Sequence, residues 1–197
     1  MRLPTRVYAA VCCVLLLAGC QSGKGEPAGP KPVNMVYNKQ TRNLERLDYD
    51  TRGSGKIDTR CYMDGTRLLR IEIDSDGDGK VDRWEYYGPD QKLEKVGLSR
   101  RNDGIADEWA YQGPDGSLAR LEISTDRSGK VTRTEYYEKG VMVRAEEDTR
   151  GTGRPDKWET YDHGALASVA FDTTGSGRPD RKLTYLPGGK VVAEQVR

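Results

Sequence analysis

The sequence has little of the material from which a thick hydrophobic core is built. Hydrophobic residues make up 35% of its 197 residues, charged residues make up 32%, and phenylalanine occurs once. Part of the hydrophobic share also lies in an apolar stretch at the amino terminus. A compact globule around one large core is therefore disfavoured. A thin array of repeats is compatible with this composition, because each repeat buries surface only against its neighbours.

The chain also lacks an excess of either charge. It contains 32 Lys and Arg residues against 31 Asp and Glu residues, for a formal net charge of +1. Because nucleic-acid binding depends on concentrated positive charge, we expect no nucleic-acid partner.

Residues suited to catalysis are scarce. The single histidine, His163, precedes Gly164 in a predicted turn, where we expect it to shape the backbone. The sequence shows no nucleophile–base pair, no phosphate-binding loop and no Cys/His spacing typical of zinc sites. We therefore expect a protein with no catalytic residues and no enzymatic activity.

Cysteine usage excludes an intramolecular disulfide in the folded body. Of the four cysteines, Cys12 and Cys13 lie in a predicted leader and Cys20 follows it directly, which leaves Cys61 alone. Cys61 lies within a predicted strand. A buried structural role is the favoured interpretation and a reactive thiol is the alternative.

The first nineteen residues have the layout of a secretion signal. Met1–Arg6 is positively charged, and Val7–Ala18 is an apolar run. As a helix this run would reach roughly 18 Å, short of the ~30 Å hydrocarbon core of a bilayer. We therefore predict a cleaved signal at residues 1–19 and not a membrane span.

The leader ends in Leu17-Ala18-Gly19-Cys20, which resembles the lipobox of bacterial lipoproteins. The resemblance implies a diacylglyceryl group on the Cys20 thiol, cleavage before Cys20, and acylation of the new amino terminus by a chain such as palmitate. Several acyl chains would anchor the protein firmly. Gln21 is not the aspartate of an inner-membrane retention signal, so the resemblance implies the outer membrane of a Gram-negative envelope. The alternative is an ordinary signal followed by an incidental cysteine.

Residues 20–32 connect the predicted anchor to the remainder of the chain. This segment is rich in Gly and Pro, as is typical of a flexible tether. Its root-mean-square reach would be roughly 20 Å. Residues 33–197 form the predicted repeat domain.

A unit of 24–25 residues recurs through this domain. A half repeat at residues 33–49 is followed by six repeats that begin at positions 50, 74, 99, 124, 148 and 172. The sixth position is glycine in every full repeat, at Gly55, Gly79, Gly104, Gly129, Gly153 and Gly177. The ninth position is aspartate at Asp58, Asp82, Asp107, Asp156 and Asp180, and threonine at Thr132.

Alternation of residue types predicts two strands in each repeat. The segment Arg83–Tyr86 places two aromatic residues on one face, and Leu69–Ile73 alternates in the same way. Hairpin signals such as Asp64-Gly65 separate the two strands. We therefore predict an all-β fold, an elongated antiparallel meander of about 12–14 strands that would span roughly 60 Å if open. The sequence leaves open whether the sheet closes on itself.

The hairpin period, the Gly-rich links and the pair Tyr86-Tyr87 before a glycine-containing turn resemble bacterial MORN-like repeats. The resemblance extends from Val33 to Val196 and implies a hairpin array that serves as a scaffold. The Asp-rich loop that begins at Asp74 departs from the MORN pattern.

The loop of the second repeat resembles the calcium-binding loop of EF-hand proteins. Its positions 1, 3, 5, 9 and 12 are acidic, and a glycine at position 6 permits the sharp turn that brings oxygen ligands together. The predicted metal ligands are Asp74, Asp76, Asp78, Lys80 through its carbonyl oxygen, Asp82 and Glu85. Strands flank this loop in place of helices, an arrangement in which Glu85 can point away and leave a weaker Ca²⁺ site. The alternative is a solvated Asp-Gly turn without an ion.

Three sister loops carry arginine at the third position, at Arg52, Arg101 and Arg150. We hypothesise that these guanidinium groups take the place of the ion and pair with the carboxylates at positions 1 and 9. The alternative is solvated arginines, whose exposed pairs would contribute about 0–1 kcal/mol.

Trp84, Trp109 and Trp158 all occupy position 11 and are predicted to lie on one face of the sheet. One interpretation is packing against neighbouring hairpins. The other is a Trp/Tyr ladder that binds a carbohydrate, a peptide or peptidoglycan.

Together these features predict a non-enzymatic, lipid-anchored envelope protein that acts as a structural or interaction scaffold, with Ca²⁺ as a candidate stabilising ion. The alternative is a carbohydrate- or peptidoglycan-binding module. Expected partners are the membrane, through the lipid, and an envelope protein or glycan.

Overall fold

A single antiparallel sheet of fourteen strands makes up residues 32–196, the part of the chain that the computed structural model describes. The strands are β1 (Asn34–Tyr37), β2 (Leu44–Tyr49), β3 (Thr59–Asp64), β4 (Arg67–Ile73), β5 (Arg83–Tyr87), β6 (Leu93–Leu98), β7 (Glu108–Gln112), β8 (Leu118–Ile123), β9 (Arg133–Glu138), β10 (Val141–Glu147), β11 (Lys157–Asp162), β12 (Ala165–Phe171), β13 (Arg181–Tyr185) and β14 (Val191–Gln195). Their order in the sheet is their order in the chain, so the sheet is an open meander. The predicted all-β hairpin array is confirmed.

Some sequence predictions fall on other parts of the chain. The signal at residues 1–19, the lipid on Cys20 and all of the tether except Pro32 lie outside the described residues. Within residues 32–196, no helix has both the length and the apolar character needed to cross a bilayer.

Short turns with left-handed backbone close the hairpins. At Lys139-Gly140 the φ angles are 49° and 76°, and at His163-Gly164 they are 49° and 79°. Two successive positive φ angles are typical of type I′ turns, whose twist matches that of the flanking strands. The histidine is therefore a turn residue, and its imidazole is exposed.

One face of the sheet, called here the core face, holds the main hydrophobic cluster. Tyr49, Cys61, Leu68 and Ile71 are buried and pack together across the first hairpins. Cys61 and Ile71 are directly opposite each other on β3 and β4. This end of the array is therefore held by apolar burial.

Further along the core face, a charged network replaces the apolar cluster. Arg133 on β9 contacts Glu135, Glu147 and Glu159, with N–O distances of 2.8, 3.2 and 2.7 Å. Lys157 contacts Glu147 and Glu159 at 3.0 and 2.7 Å. The pair between Arg133 and Glu159 joins β9 to β11 across β10. Five charged side chains thus tie three consecutive strands together.

Candidate ion-binding loop and the opposite face

The loop of the second repeat is shaped by two of its own buried aspartates. The Asp74 carboxylate accepts hydrogen bonds from the backbone N–H groups of Gly77 and Gly79, at 2.6 and 2.9 Å. The Asp82 carboxylate accepts one from the N–H of Ser75 at 2.8 Å. Because these backbone donors lie inside a tight turn, the carboxylates satisfy groups that no strand neighbour can reach.

Three carboxylates of this loop converge. Asp74, Asp76 and Asp78 each offer an oxygen atom, and these three atoms lie within 4.8 Å of one another. Asp74 is buried, whereas Asp76 and Asp78 are exposed. The cluster could hold a metal ion, which supports the prediction of a metal site in this loop.

The other predicted ligands serve different partners. The Lys80 N–H donates to the Asp78 carboxylate at 2.8 Å, and Asp82 caps Ser75 as described above. Glu85 lies on β5, where it accepts hydrogen bonds from Arg83 and from the Tyr87 hydroxyl at 2.7 and 2.8 Å. The extended backbone of β5 carries Glu85 onto the core face, whereas a helix would fold this position back over the loop. Glu85 is therefore not part of the aspartate cluster.

Neighbouring loops contact the cluster from both sides. The Asn102 side-chain amide donates to Asp76 at 2.6 Å, and a guanidinium nitrogen of Arg52 lies 3.4 Å from the Ser75 carbonyl oxygen. The N–H of Asp78 has the largest effect and lowers the pKa of Asp76. Burial opposes it, but the further effects of Asn102, Asp74 and Arg52 keep this pKa below its usual value. Asp76 is thus kept ionised, but a positive group already lies near it.

The same capping recurs in sister loops that lack the aspartate triplet. At position 1, Asp50, Asp148 and Asp172 accept the N–H of the sixth-position glycine at 2.6, 2.6 and 2.7 Å. At position 9, the residues that accept the N–H of position 2 include Asp58, Asp156, Asp180 and Thr132. Positions 1 and 9 therefore build the loop whether or not an ion is bound. The particular feature of the second repeat is the additional pair Asp76 and Asp78.

The arginines at position 3 do not all behave alike. Arg150 pairs with Asp156 at position 9 of its own loop at 2.7 Å, and its guanidinium also lies 3.9 Å from Asp172 of the next loop. Arg52 lies 3.5 Å from Asp58. Arg101 instead lies 3.6 Å from Asp103, at position 5. Two of the three arginines therefore contact the ninth position, which is half of the hypothesis. Among the described residues, the only contact of these arginines with a first-position carboxylate is that of Arg150 with Asp172, which belongs to the next loop.

The three tryptophans lie in one row on the face opposite the core face, but only two of them meet. The rings of Trp84 and Trp109 are tilted by 37°, with centroids 6.3 Å apart. Gly97 lies between them, and a Cβ atom there would come within 2.6 Å of the Trp109 ring. Trp158 lies between Glu146 and Ala170 in the strand register. The sequence prediction of one face holds, whereas contact is limited to the first pair.

A second row on this opposite face was not foreseen. Basic residues and tyrosines alternate from β2 to β10, and this cation–tyrosine row consists of Arg46, Tyr62, Arg70, Tyr86, Lys95, Tyr111, Arg120, Tyr136 and Arg144. Arg70 lies 3.8 Å from the Tyr62 ring centroid, and Arg144 lies 3.4 Å from that of Tyr136. Basic residues and tyrosines both recur at the repeat interval in the sequence, but which of them lie side by side depends on strand register.

Comparisons with known proteins leave the chain without a family. No protein-family model matches it, and no curated protein matches it. Among solved structures, it is similar to a chain in the crystal structure of accessory secretory protein 1, 2 and 3 in Streptococcus pneumoniae, with 17% identity and a TM-score of 0.30 over 61% of this chain. It is also similar to a chain of the GtfA/B complex bound to UDP and GlcNAc, with 10% identity and a TM-score of 0.23 over 88% of this chain. The matches cover 20% and 28% of those longer chains, and they define no function here.

Proposed function

We propose that the protein is a lipid-anchored scaffold of a Gram-negative cell envelope, without enzymatic activity, which presents one face of its sheet to an envelope partner. The observation that supports this role is the cation–tyrosine row. It repeats the same pair of groups at every second strand, about 9.6 Å apart for two strand spacings. Such a regular surface fits an extended partner better than it fits a small molecule, which normally binds in a concave site.

The test of this role compares two equally exposed arginines. Arg144 in the row is 47% exposed in its side chain, and Arg67 outside the row is 46% exposed. Cross-linking in intact envelopes, followed by purification of the protein, should capture a partner whose yield falls several-fold in Arg144→Ala and is unchanged in Arg67→Ala. Equal capture by the wild type and both variants would count against a partner on this face.

The proposed anchor is a thioether-linked lipid on Cys20, inferred from the resemblance of Leu17-Ala18-Gly19-Cys20 to a lipobox. Replacing Cys20 with serine should release the protein into the soluble periplasmic fraction or leave the leader uncleaved, because the acyl chains supply the membrane affinity. Cell fractionation and the mass of the mature protein measure this outcome. As a control, Cys61→Ser should leave localisation unchanged. A Cys20→Ser protein that is cleaved and still membrane-bound would contradict the anchor and the outer-membrane localisation that follows from it.

A glycan-binding role for the tryptophans receives less support from the contacts. Aromatic platforms need an accessible ring face, but cations already lie over several rings of this face. Lys95 is 4.6 Å from the ring centroids of both Tyr86 and Trp109, and Arg120 is 3.9 Å from that of Tyr111. The paired Trp84 and Trp109 are therefore better explained by packing.

We also propose that the aspartate triplet is a weak Ca²⁺ site. Asp74, Asp76 and Asp78 supply three carboxylates, fewer than the six to eight oxygen ligands that Ca²⁺ takes, so water or carbonyl oxygens would complete the shell. The three carboxylates would hold the ion, and its positive charge would offset the repulsion among them. Arg52 and the hydrogen bond from Asn102 oppose binding.

Calcium should therefore stabilise the second repeat only slightly. For a dissociation constant of about 10⁻³–10⁻⁴ M, millimolar Ca²⁺ would contribute about 0.4–1.4 kcal/mol. Titration calorimetry should detect this binding in the wild type. Asp76→Arg, which copies the sister loops, should abolish it, and Arg52→Ala should strengthen it by removing a nearby positive charge. The site would be contradicted if the wild type gave no heat of Ca²⁺ binding, or if Asp76→Arg gave the same heat as the wild type.

A further inference from the structure

The sheet ends in two open edges that expose apolar side chains. In the part of the chain that the structure describes, β1 pairs only with β2, and β14 pairs only with β13. Met35 and Tyr37 on β1 are 58% and 53% exposed, and Val191 on β14 is 48% exposed. Neither strand contains proline or lysine, with which native proteins often protect an edge from pairing.

The two edges match each other in direction and register. Because the strand number is even, a second copy placed at the end of the sheet sets its β1 antiparallel to β14 of the first. The internal rows of the sheet run straight across every link between hairpins. Extended by one strand, they place Val192 of one copy opposite Val36 of the next, Val191 opposite Tyr37, and Ala193 opposite Met35.

The row of basic residues and tyrosines becomes apolar at both edges of the sheet. The row that carries the basic residues and tyrosines from β2 to β10 has Val36 as its member on β1 and Val192 as its member on β14. Every pairing that would form between the copies along these three rows is apolar. The one charged residue on the two strands, the exposed Glu194 of β14, falls opposite Asn34 in the next row, at the end of the contact. The three apolar rows would bury no charge when the edge closed, so their composition favours pairing of one edge with the other.

We propose that copies of this chain associate head to tail, with β14 of one copy pairing with β1 of the next, so that the sheet continues from molecule to molecule. The contact is heterologous, because it joins two different surfaces. It leaves a free β1 and a free β14 at the ends of every assembly, so chains of copies grow. This inference goes beyond the scaffold role, and it depends on neither the Ca²⁺ site nor a partner on the opposite face.

Analytical ultracentrifugation of the full-length chain in detergent, over a range of concentrations, tests the proposal. The wild type should form chains of copies. Val191→Lys and Tyr37→Glu should each weaken association by about tenfold or more, because a charge then faces an apolar residue across the contact. An equimolar mixture of the two variants should associate again. The unaltered β1 of Val191→Lys pairs with the unaltered β14 of Tyr37→Glu, which gives dimers, and growth into longer chains requires the introduced lysine and glutamate to face each other. Val141→Lys, at a valine that is 45% exposed inside the sheet, should associate like the wild type.

Several outcomes would overturn the proposal. A wild type that stays monomeric at all concentrations excludes assembly through these edges. Loss of association in Val191→Lys alone indicates that two β14 edges pair with each other, which contradicts the head-to-tail contact. Equal loss in Val141→Lys indicates unspecific apolar association. With circular dichroism showing both variants folded, a mixture that stays monomeric excludes the head-to-tail contact, and a mixture that stops at dimers excludes the proposed register.

Discussion

Replacing Asp58 with alanine should lower the free energy of unfolding of the first repeats by about 2–4 kcal/mol, because two backbone donors lose their acceptor. The Asp58 carboxylate is 2% exposed and accepts hydrogen bonds from the N–H groups of Thr51 and Arg52, both at 3.1 Å. It also accepts the hydroxyls of Thr51 and Thr59 at 2.8 and 2.9 Å. Urea denaturation followed by circular dichroism measures the loss, and amide hydrogen exchange locates it.

The fourth repeat supplies a matched control for this change. Thr132 takes the place of the aspartate there, and its hydroxyl oxygen accepts the N–H of Thr125 at 3.0 Å. Asp58→Thr should therefore cost less than Asp58→Ala. Asp64→Ala, at an exposed carboxylate that pairs only on the surface, should cost at most about 1 kcal/mol. An equal cost for Asp58→Ala and Asp64→Ala would show that the loop does not depend on its internal carboxylate.

The hydrogen bonds of Asp58 also lower its pKa. Burial alone would raise the pKa of this carboxyl, but the donors from Thr51, Thr59 and Arg52 outweigh burial. A carboxylate with a lowered pKa stabilises the folded state at pH values above its ordinary pKa, and this contribution is lost as the pH falls. The loop aspartates thus tie the stability of the array to the ionisation of buried carboxyl groups.

The fold could be predicted because its determinants are local. Local patterns determine the hairpins, such as the alternation in Arg83–Tyr86 and the turn residues Lys139-Gly140. Because the unit recurs along the chain, the same patterns predict a hairpin in every repeat. The strand order then follows, because short links place each hairpin beside the preceding one.

The candidate site could be predicted only in part, because spacing does not reveal what a side chain binds. Asp82 was expected as a ligand, but it lies outside the aspartate cluster and accepts the backbone N–H of Ser75. Asp74 belongs to the cluster and also accepts two backbone N–H groups, a role that becomes visible only when the loop is folded. Glu85 follows the pleat of β5 onto the core face. The placement of Arg46 opposite Tyr62 depends on the register of two different strands. Residue types were thus predictable, whereas their partners depended on backbone geometry.

The charged network on the core face should show the other large effect. Arg133→Ala should destabilise the fourth and fifth repeats by about 3 kcal/mol, in the range found when a buried ion pair loses one partner. The Arg133 side chain is 15% exposed. Removing it deprives Glu135 of its cation and leaves Glu147 and Glu159 with Lys157 as their remaining cation. Chemical denaturation measures the loss. Arg133→Lys should cost less because it keeps the charge, and the exposed change Arg67→Ala should cost about 0–1 kcal/mol.

The pH dependence of this loss distinguishes the charge network from simple packing. Burial raises the pKa of Glu159, but hydrogen bonds from Arg133, Lys157 and Tyr161 outweigh it and lower the pKa from 4.5 to about 2. The ionised Glu159 therefore stabilises the folded state fully above pH 4.5, and this contribution disappears as the pH falls toward 2. Without Arg133, burial acts with less opposition and the pKa of Glu159 should rise. The difference in unfolding free energy between the wild type and Arg133→Ala should accordingly shrink between pH 4.5 and pH 2. A difference that stays constant across this range would show that Arg133 acts through the packing of its side chain and not through its charge.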